Sequence, residues 1–162
     1  MKCSLRVMAI LAVLTSGFFL QGCASKLPTH AEMKEQLKDY QLPKNPDAGK
    51  AMVYVVRPSP LGALIRFNVF LDDKLAQSEM GYNRGSQYIY FNVTPGEHSI
   101  KSKAENWAEI EISPTEGEIV FIQQNPEMGL VMARNSLFQM QNIEGKYRVK
   151  NLKAGTIIKT DK

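Results

Sequence analysis

The sequence predicts a mainly β protein: about seven short strands in an antiparallel β-sandwich, after an N-terminal signal peptide and a short helical stalk, with a possible short C-terminal helix. Three observations carry that expectation. From residue 51 onward apolar residues recur at every second position, the strand period. Turn chemistry rich in Pro, Gly, Asn and Asp interrupts the alternation at close intervals. The longest apolar run lies at the start of the chain and stops at a small residue followed by cysteine.

The chain has 162 residues, a formal net charge of +4 and two cysteines. Lys2 and Arg6 precede an apolar stretch from Val7 to Leu20. At about 14 residues it falls short of the roughly 20 that a permanent membrane-spanning helix needs. The run closes as Leu20-Gln21-Gly22-Cys23, which resembles the lipobox of bacterial lipoproteins: an aliphatic residue, a tolerant position, a small residue and the cysteine to be modified. The resemblance implies cleavage between Gly22 and Cys23, a diacylglyceryl thioether on Cys23 and acylation of the new amine. Each buried methylene adds about 0.8 kcal/mol, so two or three acyl chains hold where one is marginal. Residue 24 is Ala, not Asp, and by the same resemblance the protein is expected in the bacterial outer membrane, facing the periplasm. Cys3 would leave with the leader, so the mature chain keeps one thiol and that one is acylated. Disulfides, thiol catalysis and cysteine metal sites drop out.

Residues 23–50 read as a lipidated stalk and linker. Thr29 and Glu32 have the spacing of a capping box, and Met33, Leu37 and Tyr40 recur at helical intervals. Pro43 and Pro46 end the helix, and Asn45 to Gly49 is linker chemistry. Such a stripe reads as a spacer packed loosely on the domain, or as a partner-binding helix.

Residues 51–162 form the expected sandwich domain. Ala51 to Arg57 reads as apolar on both faces, as a central strand is, and Pro58 ends it. Phe67, Val69 and Leu71 alternate, and Asp72-Asp73-Lys74 turns the chain into a strand expected over Leu75 to Glu79. Ile89, Phe91 and Val93 share one face, with Tyr88, Tyr90 and Asn92 on the other. Thr94-Pro95-Gly96-Glu97 is a turn in which Pro presets φ and Gly supplies positive φ. His98, Ile100 and Ser102 then face one way, and Ala108 to Ile112 and Glu118 to Asn125 add two more strands. Ser136 to Ile143 is apolar without a clear period; Lys146 to Lys150 alternates like an edge strand, yet Glu144 to Leu152 also fits one helix.

Three of these stretches, Ala51 to Pro58, Asn68 to Lys74 and Val93 to His98, resemble the DUF2846 family, whose members are mostly bacterial lipoproteins of unknown function. Gly117 to Phe121 fits a fourth family element, and the resemblance spans roughly residues 50–130. The Pro-Gly-x-His hairpin is shared with PEGA-like and carboxypeptidase-regulatory-like modules, and this implies a β-sandwich without catalysis. It also tilts the tail toward a short helix.

The catalytic inventory is thin. His30 lies in the stalk, so His98 is the one general-base candidate in the domain. Its place after Pro95-Gly96-Glu97 reads as a structural imidazole packed under the turn. No G-x-S-x-G, H-E-x-x-H or Walker glycine loop is present. Asp72 with Asp73 reads as turn formers, and Glu109 with Glu111 as a solvated strand face. No catalytic residue, metal ligand or cofactor is expected. Two places could bind: Tyr82 and Arg84, in what reads as a glycine-flanked loop where Arg84 could grip a carboxylate or phosphate, and Trp107 near a strand start. Loss of Lys2 and Arg6 leaves a charge of +2, with no basic aromatic platform for nucleic acid. The basic tail, Lys146 to Lys162, reads as a solvated face, or as one that meets anionic lipid or peptidoglycan. The expected protein is a non-enzymatic envelope interaction module on a lipid anchor, partnered by the membrane and by envelope proteins or cell wall. A small periplasmic hydrolase and a lipid or small-ligand binder are the alternatives.

Overall fold

The computed structural model describes residues 27–131 and 133–161. The expected signal peptide with its cleavage and lipidation positions, Gly22 and Cys23, lies outside the described residues. In chain order the elements are α1 (His30–Gln36), β1 (Ala51–Arg57), β2 (Phe67–Leu71), a 3₁₀ turn (Ala76–Ser78), β3 (Glu79–Asn83), β4 (Gln87–Val93), β5 (His98–Lys103), β6 (Trp107–Ile112), β7 (Ile119–Glu127), β8 (Arg134–Met140), α2 (Asn142–Asn151), β9 (Lys153–Ala154) and β10 (Thr156–Ile157). They form two five-stranded sheets, ordered β8-β7-β1-β4-β9 and β10-β3-β2-β5-β6.

The mainly β sandwich is as the alternation predicts, with additions that periodicity could not supply. The pairing is mostly antiparallel, but β1 runs parallel to β7, and β4 to β9. Strands β1 to β8 alternate in direction along the chain. Six reversals carry the chain from β1 to β7, so when the central β1 takes β7 as a neighbour the two must run the same way. The apolar stretch near residues 136–143 forms β8, and its last residues open α2, the helical option for the tail. The strand expected over Leu75 to Glu79 begins only at Glu79, because Asp72 takes a φ of +69° and the chain then winds through the 3₁₀ turn.

The interior between the sheets is filled by alternate residues of facing strands: Val53 and Val55, Ile89 and Phe91, Val120 and Ile122 from one sheet, Val69, Met80 and Ile100 among those of the other. Such side chains each contribute about 1.5–3 kcal/mol on full burial. A second apolar layer covers the outer face of the first sheet, where Met52, Tyr54 and Val56 meet Leu42, Phe121 and Val149. That is why β1 is buried along its whole length. Tyr54 stacks on Phe121 with centroids 5.5 Å apart. Its hydroxyl donates to Lys44 O at 2.6 Å and accepts from Lys44 N at 3.0 Å, and burial pushes the phenol's pKa up. Gly145 lets α2 lie directly on Phe121, since a Cβ there would overlap the ring.

The segment read as a stalk therefore packs on the domain: α1 lies against α2, and Tyr40, Leu42 and Lys44 lie on the outer face of the first sheet. Thr29 and Glu32 form the capping box, with Thr29 N donating to Glu32 Oε2 at 2.7 Å. Met33 is buried, and Lys150 of α2 donates to the Gln36 carbonyl. Among the described residues no helix is long and apolar enough to cross a membrane.

Candidate functional site

Four loops gather at one end of the sandwich: residues 58–66, 84–86, 104–106 and the described residues of 128–133. Register places them there, because Arg57 pairs with Gln87, Phe67 with Asn83, Lys103 with Trp107 and Glu127 with Arg134. Backbone bonds tie them together, from Gly85 N to Ala63 O and from Glu105 N to Ala133 O, each at 3.2 Å. Asn106 and Asn135 add a reciprocal pair at 2.8 Å, side-chain amide to main chain in both directions. The tips of two of these loops are apolar and almost wholly exposed: Leu64 at 88%, Met128 at 87%, Leu130 at 94% and Val131 at 90%. Isolated exposed leucines are ordinary, but a group of them at one end is not.

Two charged residues hold these tips in place. Arg57, the last residue of β1, is fully buried. Its guanidinium donates to Ile65 O at 2.6 Å, Leu61 O at 2.8 Å and Gly62 O at 3.0 Å, and lies 3.8 Å from the centre of the Phe67 ring. Burial pulls its pKa down to about 10. Carbonyl dipoles stand where a carboxylate would usually sit, which makes Arg57 a clamp on loop 58–66. Glu105 does the converse for loop 128–133: its carboxylate accepts from Leu130 N at 3.2 Å and Val131 N at 3.0 Å.

Around the tips runs a rim of aromatic and basic side chains, and it contains the candidates from the sequence. Tyr82 lies inside β3 rather than in a loop. It sits between Arg66 and Arg84, whose guanidinium carbons are 5.5 and 5.2 Å from its ring centre. Hydrogen bonds from Thr156 and Arg84 hold its phenol below the ordinary range. Trp107 opens β6, half-buried, with its ring 5.2 Å from Phe70 and beneath the ammonium groups of Lys103 and Lys74 at 5.1 and 5.2 Å. Tyr82, Asn68, Lys103 and Trp107 occupy one row across β3, β2, β5 and β6, since each pairs with the next. A one-residue shift of any strand would turn its member of the row inward.

The opposite end holds the Pro95-Gly96 turn. Gly96 has a φ of +119°, and its N–H donates to Pro114 O at 3.0 Å. The His98 side chain, 12% exposed, spans from Asp72 to this turn: Nδ1 lies 3.0 Å from Asp72 Oδ1, and Nε2 lies 2.9 Å from Thr94 O and 3.2 Å from Thr94 Oγ1. The order carboxylate, imidazole, hydroxyl resembles a hydrolase relay in outline, but Nε2 is closer to a carbonyl. A carbonyl can only accept, and a nitrogen donating to it cannot also take a proton from a hydroxyl. The arrangement ties the turn to the β2–β3 connection. Among the described residues no group of three or more His, Cys, Asp or Glu is placed to hold a metal ion. An open groove of about 620 Å³ lies outside the sandwich interior, between α1, α2 and the start of β7, with Lys34, Lys38 and Lys146 around Leu37, Phe121 and Ile143.

Sequence reasoning passed over Arg57, Glu105 and the apolar tips. A signal for each was present. Arg57 is the only charge at the end of an otherwise apolar strand, and Leu61-Gly62-Ala63-Leu64-Ile65 and Met128-Gly129-Leu130-Val131 are apolar runs inside Pro- and Gly-marked loops.

Comparison with known proteins adds little chemistry. No family model matches the chain. It is 23% identical over 142 residues, 87% of its length and 80% of the relative's, to an uncharacterized protein of Haemophilus influenzae.

Proposed function

We propose that this protein is a lipid-anchored, non-enzymatic module of the bacterial envelope, held at the outer membrane on the periplasmic side, whose four-loop end meets its partner. The observation that carries the reading is the group of exposed apolar tips at that end, held by Arg57 and Glu105 and bordered by Arg66, Arg84 and Trp107. A surface so placed favours binding over chemistry, because it brings together no nucleophile and base. His98, at the far end, spans from Asp72 to Thr94 as a tie between the β2–β3 connection and the Pro95-Gly96 turn. The lipobox supplies the other half of the reading. Acyl chains on Cys23 would confine the sandwich near a bilayer and raise its effective concentration for anything there. The DUF2846 resemblance of residues 50–130 agrees with a module of this kind.

Labelling with radioactive palmitate in a bacterial host tests the anchor. The unmodified chain should take up label and fractionate with outer membranes, and Cys23→Ala should lose the label and leave that fraction while its sandwich stays folded. Label retained in Cys23→Ala, or absent from the unmodified chain, would overturn the anchor.

A further inference from the structure

We infer that the four-loop end docks on an anionic phospholipid bilayer, its apolar tips entering the interface and its basic rim lying against the headgroups. The inference deepens the anchored-module reading and rests on it.

Backbone chemistry is the first support. A loop can enter an apolar medium only if its N–H and C=O groups are paired within the protein. These loops meet part of that condition through two buried or half-buried charged side chains. Arg57 takes up the carbonyls of Leu61, Gly62 and Ile65, and Glu105 takes up the N–H groups of Leu130 and Val131. The same bonds neutralise the demand for water at the base of each tip and leave the side chains of Leu64, Leu130 and Val131 directed outward.

Charge complementarity is the second. Arg66, Arg84 and Arg134 are exposed at this end, with Lys103 half-exposed beside them. The acidic groups there are Glu105, whose oxygens are turned to the 128–133 loop, and Glu127. Cations therefore outnumber anions around the tips, and anionic lipid attracts such clusters within a Debye length. The rim adds the third support. Tyr82 and Trp107 pair aromatic rings with Arg and Lys side chains at the level where apolar tips give way to charge. Amphipathic rings occupy that level at membrane–water boundaries.

Fluorescence quenching on the full chain, reconstituted in vesicles of brominated lipid, tests the inference. In a Trp107→Phe background, which keeps a ring on Phe70, a single tryptophan is placed by Leu130→Trp at a tip or by Glu97→Trp at the opposite end. In vesicles containing phosphatidylglycerol, Leu130→Trp should be quenched several-fold more than Glu97→Trp. The difference should shrink in pure phosphatidylcholine, at high salt, and with Arg66→Glu and Arg134→Glu together. A chain that pellets with vesicles while Leu130→Trp is quenched no more than Glu97→Trp overturns the docking and leaves the anchor standing; a protein-binding end would give that result. Quenching that ignores both lipid charge and the glutamate substitutions overturns the anionic surface. A chain absent from the pellet overturns docking and anchor together.

Discussion

Arg57→Met should loosen the loop end at a modest cost in global stability. Three hydrogen bonds from a charged donor, at 2.6, 2.8 and 3.0 Å, are lost together with a longer one to Asn83 O at 3.5 Å, the three short ones each contributing about 1.5–3 kcal/mol. Against them stands the desolvation of a fully buried guanidinium, several kcal/mol per ion in order of magnitude, whose trace is the pKa pulled down to about 10. Methionine keeps a stem on Phe67 and removes both contributions. The released carbonyls of Leu61 and Ile65 belong to exposed residues and can turn to water. The expected net loss is about 1–3 kcal/mol. With a urea slope of roughly 1–3 kcal/mol per molar, the unfolding midpoint should fall by about 1 M. Amide exchange at Ile65 and Gly85, whose N–H groups bond within and onto this loop, should quicken more than global unfolding explains. Arg57→Lys should resemble Arg57→Met, since one ammonium cannot reproduce a planar fork across three carbonyls. A variant within about 0.5 kcal/mol of the parent, with exchange at both amides unchanged, would refute the clamp.

Gly145→Ala should destabilise by about 1–3 kcal/mol through overlap with Phe121, although alanine favours an isolated helix by nearly 1 kcal/mol; net stabilisation in a urea titration would contradict the close packing of α2. Tyr54→Phe should cost about 1–2 kcal/mol and lower Tm by a few degrees, because Lys44 loses partners for both its N–H and its carbonyl. Unchanged exchange at the Lys44 amide would show that the phenol does not hold residues 40–46 on the sheet.

The legible parts of this protein were those written in short-range pattern. Alternation from Ala51 onward marks the strands, Thr29 with Glu32 marks the start of α1, and Pro95-Gly96 marks a turn whose glycine does take positive φ. His98 was legible as a structural group, yet its tie to Asp72 was not. Asp72 is 26 residues away, and only the pairing of β2 with β5 brings it close. Tyr82 was placed in a loop rather than in β3, because the glycines on either side of it carry the same signal in a strand as in a turn. One of them, Gly81, faces the backbone of Thr156 where β10 crosses, a contact invisible from local sequence.

By itself, then, the sequence determined the strand-rich class, the capped helix and the turn at Pro95-Gly96, since each depends on neighbours within a few residues. Tertiary structure decided the rest. It turned residues 40–44 into a cover for β1, set α1 on α2 and β7 parallel to β1, and brought four loops from separate parts of the chain to one end. Those outcomes depend on which surfaces meet, and burial of Arg57 beneath exposed leucines becomes visible only when strands distant in sequence share a sheet.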